Sequence, residues 1–330
     1  MSAFARWLAL TFLLLWSPAK AEPPLLMGFY ESWSERPGAP PPATRLANLP
    51  QHLDILALGF ARPDLSYSGD NDLTATGLEM PFGVAETAEA LALFRQRSPR
   101  TRILLSLGGA TYDRGDAFAP EAAARLVAAL GIDGVDLDYE PTDPGCHPRP
   151  ERNDIVCESD AVWAEIIRRT RTHLPRPALV TAQAWSVGAY GTGRFADAVP
   201  AARHTGSMLW LGREAVAAEL DLVAIMAYGA GRRFDPLLAF AAYRDIWPGR
   251  LLLGARIGGT GGGGPPATAS TLTRYAKEMA RDPRAGVMLY TLAAGTSHRP
   301  SRASLDGRAA VATVCRTWDR TECASPVKER

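Results

Sequence analysis

No run of like charge appears anywhere along this 330-residue chain, in which 36 Lys and Arg stand against 35 Asp and Glu for a formal charge of +1. That balance excludes nucleic acid and anionic lipid as main partners, since both are held by clustered cations. No CxxC spacing occurs and the five His are scattered, so no metal site is expected. The segment GGTGGGGPP has no Lys-Ser or Lys-Thr pair after it, which removes a phosphate-cradling loop, and no cofactor is expected. The apolar run from Trp7 to Trp16 has about half of the roughly 20 residues that a membrane-spanning helix needs, so no stable membrane anchor is expected. No internal repeat, linker or second domain is visible.

What is present begins with that same run. Arg6 precedes it and Ala19-Lys20-Ala21 follows it, the pattern of a cleavable secretory signal over residues 1–21. The mature chain, 22–330, is therefore expected to be secreted or periplasmic, and monomeric. The four cysteines form two local pairs, Cys146 with Cys157 and Cys315 with Cys323. Delivered to an oxidising compartment, both pairs are expected to be disulfides.

Eight short β-rich runs follow, at 25–33, 53–61, 102–109, 134–140, 178–185, 220–229, 250–259 and 285–292, and amphipathic stretches such as VAETAEALALFRQR and PEAAARLVAALG lie between them. This alternation predicts βαβ units around a parallel sheet, and eight strands close a barrel. The fold class is α/β, a single (β/α)₈ TIM barrel. The Pro-rich RPGAPPPA and the Gly-rich segment each follow a strand, which puts them on the rim that carries active-site loops. Residues 186–219 are too long for one crossover helix and are expected to hold an extra helix or a cleft loop.

The segment Asp133-Gly-Val-Asp136-Leu-Asp138-Tyr-Glu140 carries the chemistry. On a strand, Asp136, Asp138 and Glu140 point one way and Val135, Leu137 and Tyr139 the other. The apolar set must face the helices, so the acids line the barrel interior and Glu140 is uppermost. Stacked inward carboxylates repel and lose hydration, so at least one must stay protonated, which supplies a general acid near neutral pH. Two other readings remain open: ligands for Mg²⁺ or Ca²⁺, or structural acids neutralised by arginines.

DGVDLDYE resembles the DGxDxDxE signature of glycoside hydrolase family 18, the chitinases and endo-β-N-acetylglucosaminidases. Ser106-Leu-Gly108-Gly109 is similar to the family's SxGG, and GFYESW on the first strand and Met226-Ala-Tyr228 on the sixth fall where the family places subsite residues. The resemblance runs from the first strand to the eighth in order. It implies Glu140 as the acid, Asp138 as the group orienting the substrate's acetamido nucleophile, Asp136 as its proton partner bonded by Ser106, and Tyr228 as a donor to the acetamido oxygen. Tyr30, Trp33, Ser106, Gln183, Trp185, Met226 and Tyr290 are the candidate substrate contacts, the aromatic ones as platforms for sugar faces. Tyr290 stands where relatives usually have Trp, and Gly229 where many chitinases have Asp. The short connection between the seventh and eighth strands leaves no room for the family's small α+β insertion, which implies an open groove and little processivity. A Cys146–Cys157 bond would stiffen the wall beside Glu140. The implied partner is chitin, a chitooligosaccharide or another N-acetylglucosamine glycan. An endo-β-N-acetylglucosaminidase acting on N-glycan cores and a non-catalytic chitinase-like lectin are the rival readings. A metal-dependent hydrolase is a third, and it alone would lose activity to a chelator.

Overall fold

The computed structural model describes residues 23–110, 112, 117–152, 154–258, 266–293, 305–320 and 323. The expected signal segment and most of the Gly-rich segment lie outside these residues. Eight parallel strands, β1 (Leu25–Glu31), β2 (Ile55–Ala61), β3 (Arg102–Gly108), β4 (Gly134–Asp138), β7 (Leu179–Trp185), β8 (Leu222–Met226), β9 (Arg250–Arg256) and β10 (Ala285–Tyr290), close into a barrel. The expected TIM barrel is therefore present. The remaining two strands, β5 (Cys146–Arg149) and β6 (Asp154–Cys157), form an antiparallel hairpin between β4 and β7.

Two faces of each strand are buried, so the strands read as nearly continuous apolar runs. One set of side chains, including Leu26, Leu56, Leu105, Val135 and Leu253, packs beneath the helices. The alternate set, including Met27, Phe29, Ala57, Leu104, Ala224, Leu252 and Met288, fills the interior. Among the described residues the outer layer holds six α-helices: α1 (Val84–Arg97), α2 (Pro120–Leu130), α3 (Ser159–His173), α4 (Pro236–Ile246), α5 (Ala269–Met279) and α6 (Gly307–Thr317). Helices α4, α5 and α6 start on Asp235, Thr268 and Asp306, whose side chains each accept a main-chain N–H of the first turn.

Two crossovers depart from the α-helical pattern. The β1 to β2 connection uses short 3₁₀ turns at Ser32–Ser34 and Pro41–Ala43. The β7 to β8 excursion, the segment the sequence left unassigned, has three more, at Gly193–Phe195, Leu209–Gly212 and Ala215–Glu219. It buries Tyr190, Met208, Trp210 and Leu211 completely or nearly so. This stretch is thus a packed part of the outer layer rather than a free cleft loop.

The register of the barrel is pinned from one end by three acids, each immediately before a strand. Asp54, Asp133 and Asp221 accept the main-chain N–H of Leu26, Ile103 and Val180 at 2.7, 2.8 and 2.8 Å. Each also pairs with an arginine, Arg320, Arg95 and Arg171 respectively. Asp133, though part of the acidic motif, is therefore a register residue at the far end from the mouth. Gly134 follows it because β4 runs against β7 there: a Cβ would come within 2.0 Å of the Leu179 carbonyl oxygen. The Cys146–Cys157 and Cys315–Cys323 disulfides are both formed.

Candidate active site

Pairing of β3 with β4 sets Ser106 beside Asp136 and Gly108 beside Asp138, and pairing of β4 with β7 sets Thr181 beside Asp136. Strand alternation does the rest. Asp136, fully buried, accepts from the Ser106 hydroxyl at 2.8 Å, the Thr181 hydroxyl at 2.5 Å and the Gln183 amide at 2.8 Å. Burial raises its proton affinity, and these three donors oppose that rise by favouring the ionised form.

Asp138 ends β4 and is 4 % exposed, and its Oδ1 has no hydrogen-bond partner among the described residues. Burial, then the neighbouring Glu140 and Asp136, hold its proton affinity well above the carboxylate range. Glu140, two residues beyond the strand, is pushed up to about 7 by burial. Tyr139 between them points outward and meets Trp163 edge to face at 5.6 Å, as the alternation requires.

The Ser-Leu-Gly-Gly segment brings β3 against this acid. Gly108 has φ +114°, and a Cβ there would stand 2.1 Å from the Asp138 carbonyl oxygen. The Gly109 N–H donates to that same oxygen at 2.8 Å. Only glycine permits the approach, so the motif's first glycine seats the main chain that carries Asp138.

Above the acids lies an aromatic floor. Tyr228 and Tyr290 stack with centroids 6.0 Å apart and planes at 17°. Tyr290 also meets the edge of Phe29 at 6.0 Å and tilts against Phe60 at 6.4 Å, while Trp33 stacks on Phe60 at 6.0 Å and is 47 % exposed. Burial, then Asp138, Tyr290, Glu140 and Asp136, keep the Tyr228 hydroxyl protonated. At the end of β7 His204 covers one face of Trp185 at 3.7 Å, and its Nε2 bonds the carbonyl oxygen of Pro141, the residue after Glu140, at 2.9 Å.

Most of the sequence-derived set thus converges: Asp136, Asp138, Glu140, Tyr228, Met226, Trp33, Trp185 and Tyr290 lie together at one end of the barrel. Tyr30 does not. Its position on β1 turns it outward, where it is 1 % exposed and its hydroxyl donates to Glu35 at 2.9 Å; Phe29 takes the inward place. Ser106 and Gln183 are buried supports of Asp136 rather than open contacts, although Gln183 Oε1 and Trp185 Nε1 have no partner among the described residues. Reading β7 by alternation from Gln183 and Trp185 would have found Thr181. His204 carried no signal in the sequence.

The arginine-neutralised reading of the acids finds no support, since the partners of Asp136 are hydroxyls and an amide. Among the described residues the one group of three ligand-type side chains gathered within 4.8 Å is His52, Cys315 and Cys323, whose two sulfurs are bonded together. The three acids do not gather that tightly.

No protein-family model matches the chain. A chitinase from Plasmodium falciparum is 33% identical over 129 residues, which is 36% of this chain and 32% of that protein. The chain spans about a third of the length of the curated relatives it matches. A GH18 chitinase from Pseudoalteromonas aurantia superposes with a TM-score of 0.58 at 16% identity, covering 89% of this chain and 99% of its own. The chain has the fold of the family 18 chitinases. The same fold serves a chitinase-like agglutinin from Robinia pseudoacacia, with a TM-score of 0.55 at 16% identity over 88% of this chain and 99% of that one. In this chitinase-type barrel Gly229 has φ +76°, so an Asp at that position would strain the backbone. Between Arg256 and Ala285 the described residues form one helix, α5. No helix among the described residues is long and apolar enough to cross a membrane.

Proposed function

We propose that this chain is a retaining endo-hydrolase of β-1,4-linked N-acetylglucosamine glycans, of the chitinase type, in which Glu140 is acid and then base and the substrate's own acetamido group is the nucleophile. The observation that carries this reading is the unequal treatment of three stacked acids. Asp136 is fully satisfied by neutral donors, Asp138 keeps a free acceptor, and Glu140 holds its proton near neutrality.

Protonated Glu140 gives its proton to the glycosidic oxygen as the bond from that oxygen to the anomeric carbon breaks. The acetamido carbonyl oxygen bonds to the anomeric carbon, forming an oxazolinium ion. Asp138 accepts from the acetamido N–H and passes its own proton toward Asp136, so that negative charge develops beside the new cation. Tyr228 donates to the acetamido oxygen. Glu140, now ionised, takes a proton from water, which reopens the ring with net retention.

Chitin chains or chitooligosaccharides are the proposed substrates. Export follows from the N-terminal segment together with the two disulfides. The test pairs wild type with Glu140→Gln on chitotetraose, and wild type on a high-mannose glycoprotein. Cleavage of chitotetraose that falls at least about 100-fold in the variant supports the proposal. Trimming of the glycoprotein alone would assign it to N-glycan cores. Binding of chitotetraose without cleavage of either substrate would make it a lectin.

A further inference from the structure

Glu140 stands two residues past Asp138, the last residue of β4, so the barrel ladder does not fix its main chain. The acid is carried between two anchors instead. On its N-terminal side the Gly109 N–H holds the Asp138 carbonyl oxygen at 2.8 Å. On its C-terminal side the next two carbonyl oxygens are taken by consecutive residues of the β7 to β8 excursion. His204 Nε2 bonds that of Pro141 at 2.9 Å, and the Arg203 guanidinium donates to that of Thr142 at 3.2 Å. A carbonyl oxygen can only accept, so Nε2 carries the hydrogen and His204 is the donor.

The two donors are not held alike. Arg203 is exposed, so water can take over its bond. The His204 ring lies on Trp185, with centroids 3.7 Å apart and planes at 21°. Trp185 is itself fixed as the last residue of β7, its carbonyl oxygen bonded by the Tyr243 hydroxyl. Beyond the acid, the β5–β6 hairpin is fastened to the same excursion. Ile155 occupies the space that a side chain at Gly191 or Gly206 would need, and Arg213 donates to Asp154, to Asp160 and to the Ile155 carbonyl, each at 2.8 Å. The excursion is thus the body against which the chain leaving Glu140 is located. Proton transfer is sensitive to such location, since a displacement of about 1 Å can cost about 100-fold in rate. We propose that His204 is a positioning residue for the acid: by holding the Pro141 carbonyl oxygen it sets the course of the main chain at Glu140 and keeps that carboxyl within reach of the glycosidic oxygen. This rests on the glycan-hydrolase reading.

The test compares two leaving groups on the full mature chain. Chitotetraose releases a sugar alcohol that needs the Glu140 proton, whereas 2,4-dinitrophenyl chitobioside releases a phenolate that leaves without one. His204→Ala is expected to lower the ratio of kcat/KM on chitotetraose to kcat/KM on the aryl glycoside about tenfold. A fold defect would reduce the active fraction for both substrates alike and leave that ratio at its wild-type value. His204→Gln keeps an N–H for the Pro141 carbonyl and lacks the ring over Trp185, and it is expected to bring the ratio back to within about threefold of wild type. An unchanged ratio in His204→Ala would overturn the proposal. So would a His204→Gln variant as impaired as His204→Ala, which would assign the effect to the Trp185 stack. If wild type cleaves neither substrate, the failure lies with the proposed function, and hydrogen exchange at the Glu140, Thr142 and Asp143 amides decides the positioning separately. Exchange at least about tenfold faster in His204→Ala than in wild type, with the β4 amides unchanged, is then expected, and equal exchange refutes it.

Discussion

Thr181 donates its hydroxyl to Asp136 across the β4 to β7 pairing at 2.5 Å, the shortest of the three bonds that this fully buried acid accepts. Replacing it with Val keeps the shape and removes the donor. Asp136 then loses the bond that orients its carboxylate to receive the proton from Asp138. Thr181→Val is expected to lower kcat about 10- to 100-fold with little change in KM. Unchanged kcat would show that this bond plays no part in turnover.

Glu140 must be protonated to donate, and its proton is held to about pH 7. Activity is therefore expected to fall as pH rises through about 7, and kcat/KM against pH checks it. The stability effect has a determined sign. A carboxyl raised in the folded state binds more protons there than in the unfolded chain, so it costs stability as pH climbs from the ordinary carboxylate range past about 7. Glu140→Gln removes that cost. Thermal or denaturant unfolding should show the variant more stable than wild type at pH 8, by about 2 to 3 kcal/mol, with little difference at pH 4. Equal stabilities at pH 8 would place Glu140 in water.

His204 ties the end of β7 to the segment after Glu140, covering Trp185 and donating from Nε2 to the Pro141 carbonyl. Burial lowers its proton affinity. His204→Ala is expected to raise KM about three- to tenfold through loss of that tie. The same steady-state assay reads it, and a wild-type KM would show that the loop holds itself.

Gly108→Ala must either enter a backbone region costing about 1 to 3 kcal/mol or move the Asp138 main chain away from a Cβ built 2.1 Å from its oxygen. Activity is expected to fall more than the folded fraction does, as read by hydrolysis beside circular dichroism. Proportional losses would reduce Gly108 to a purely structural residue.

The barrel was legible because its strands are apolar runs in a regular alternation with helices, and because three alternate acids on one strand can face only inward. Tyr30 was misread for the same reason that the acids were read well. The parity of β1 is not fixed by any charged residue before Glu31, so both Phe29 and Tyr30 satisfy a buried position. His204 was invisible because its partner, Pro141, lies far away in sequence and meets it only once the barrel closes. The β7 to β8 excursion was unreadable since its buried Trp210 and Met208 sit in 3₁₀ turns without helical periodicity.

The anomeric form of the first product released from chitotetraose, followed by proton NMR within the first minutes, tests the substrate-assisted mechanism most directly. The β-anomer first, together with no cleavage of the fully deacetylated tetramer, is the result expected of an acetamido nucleophile. The α-anomer first, or equal cleavage of the deacetylated tetramer, would contradict it.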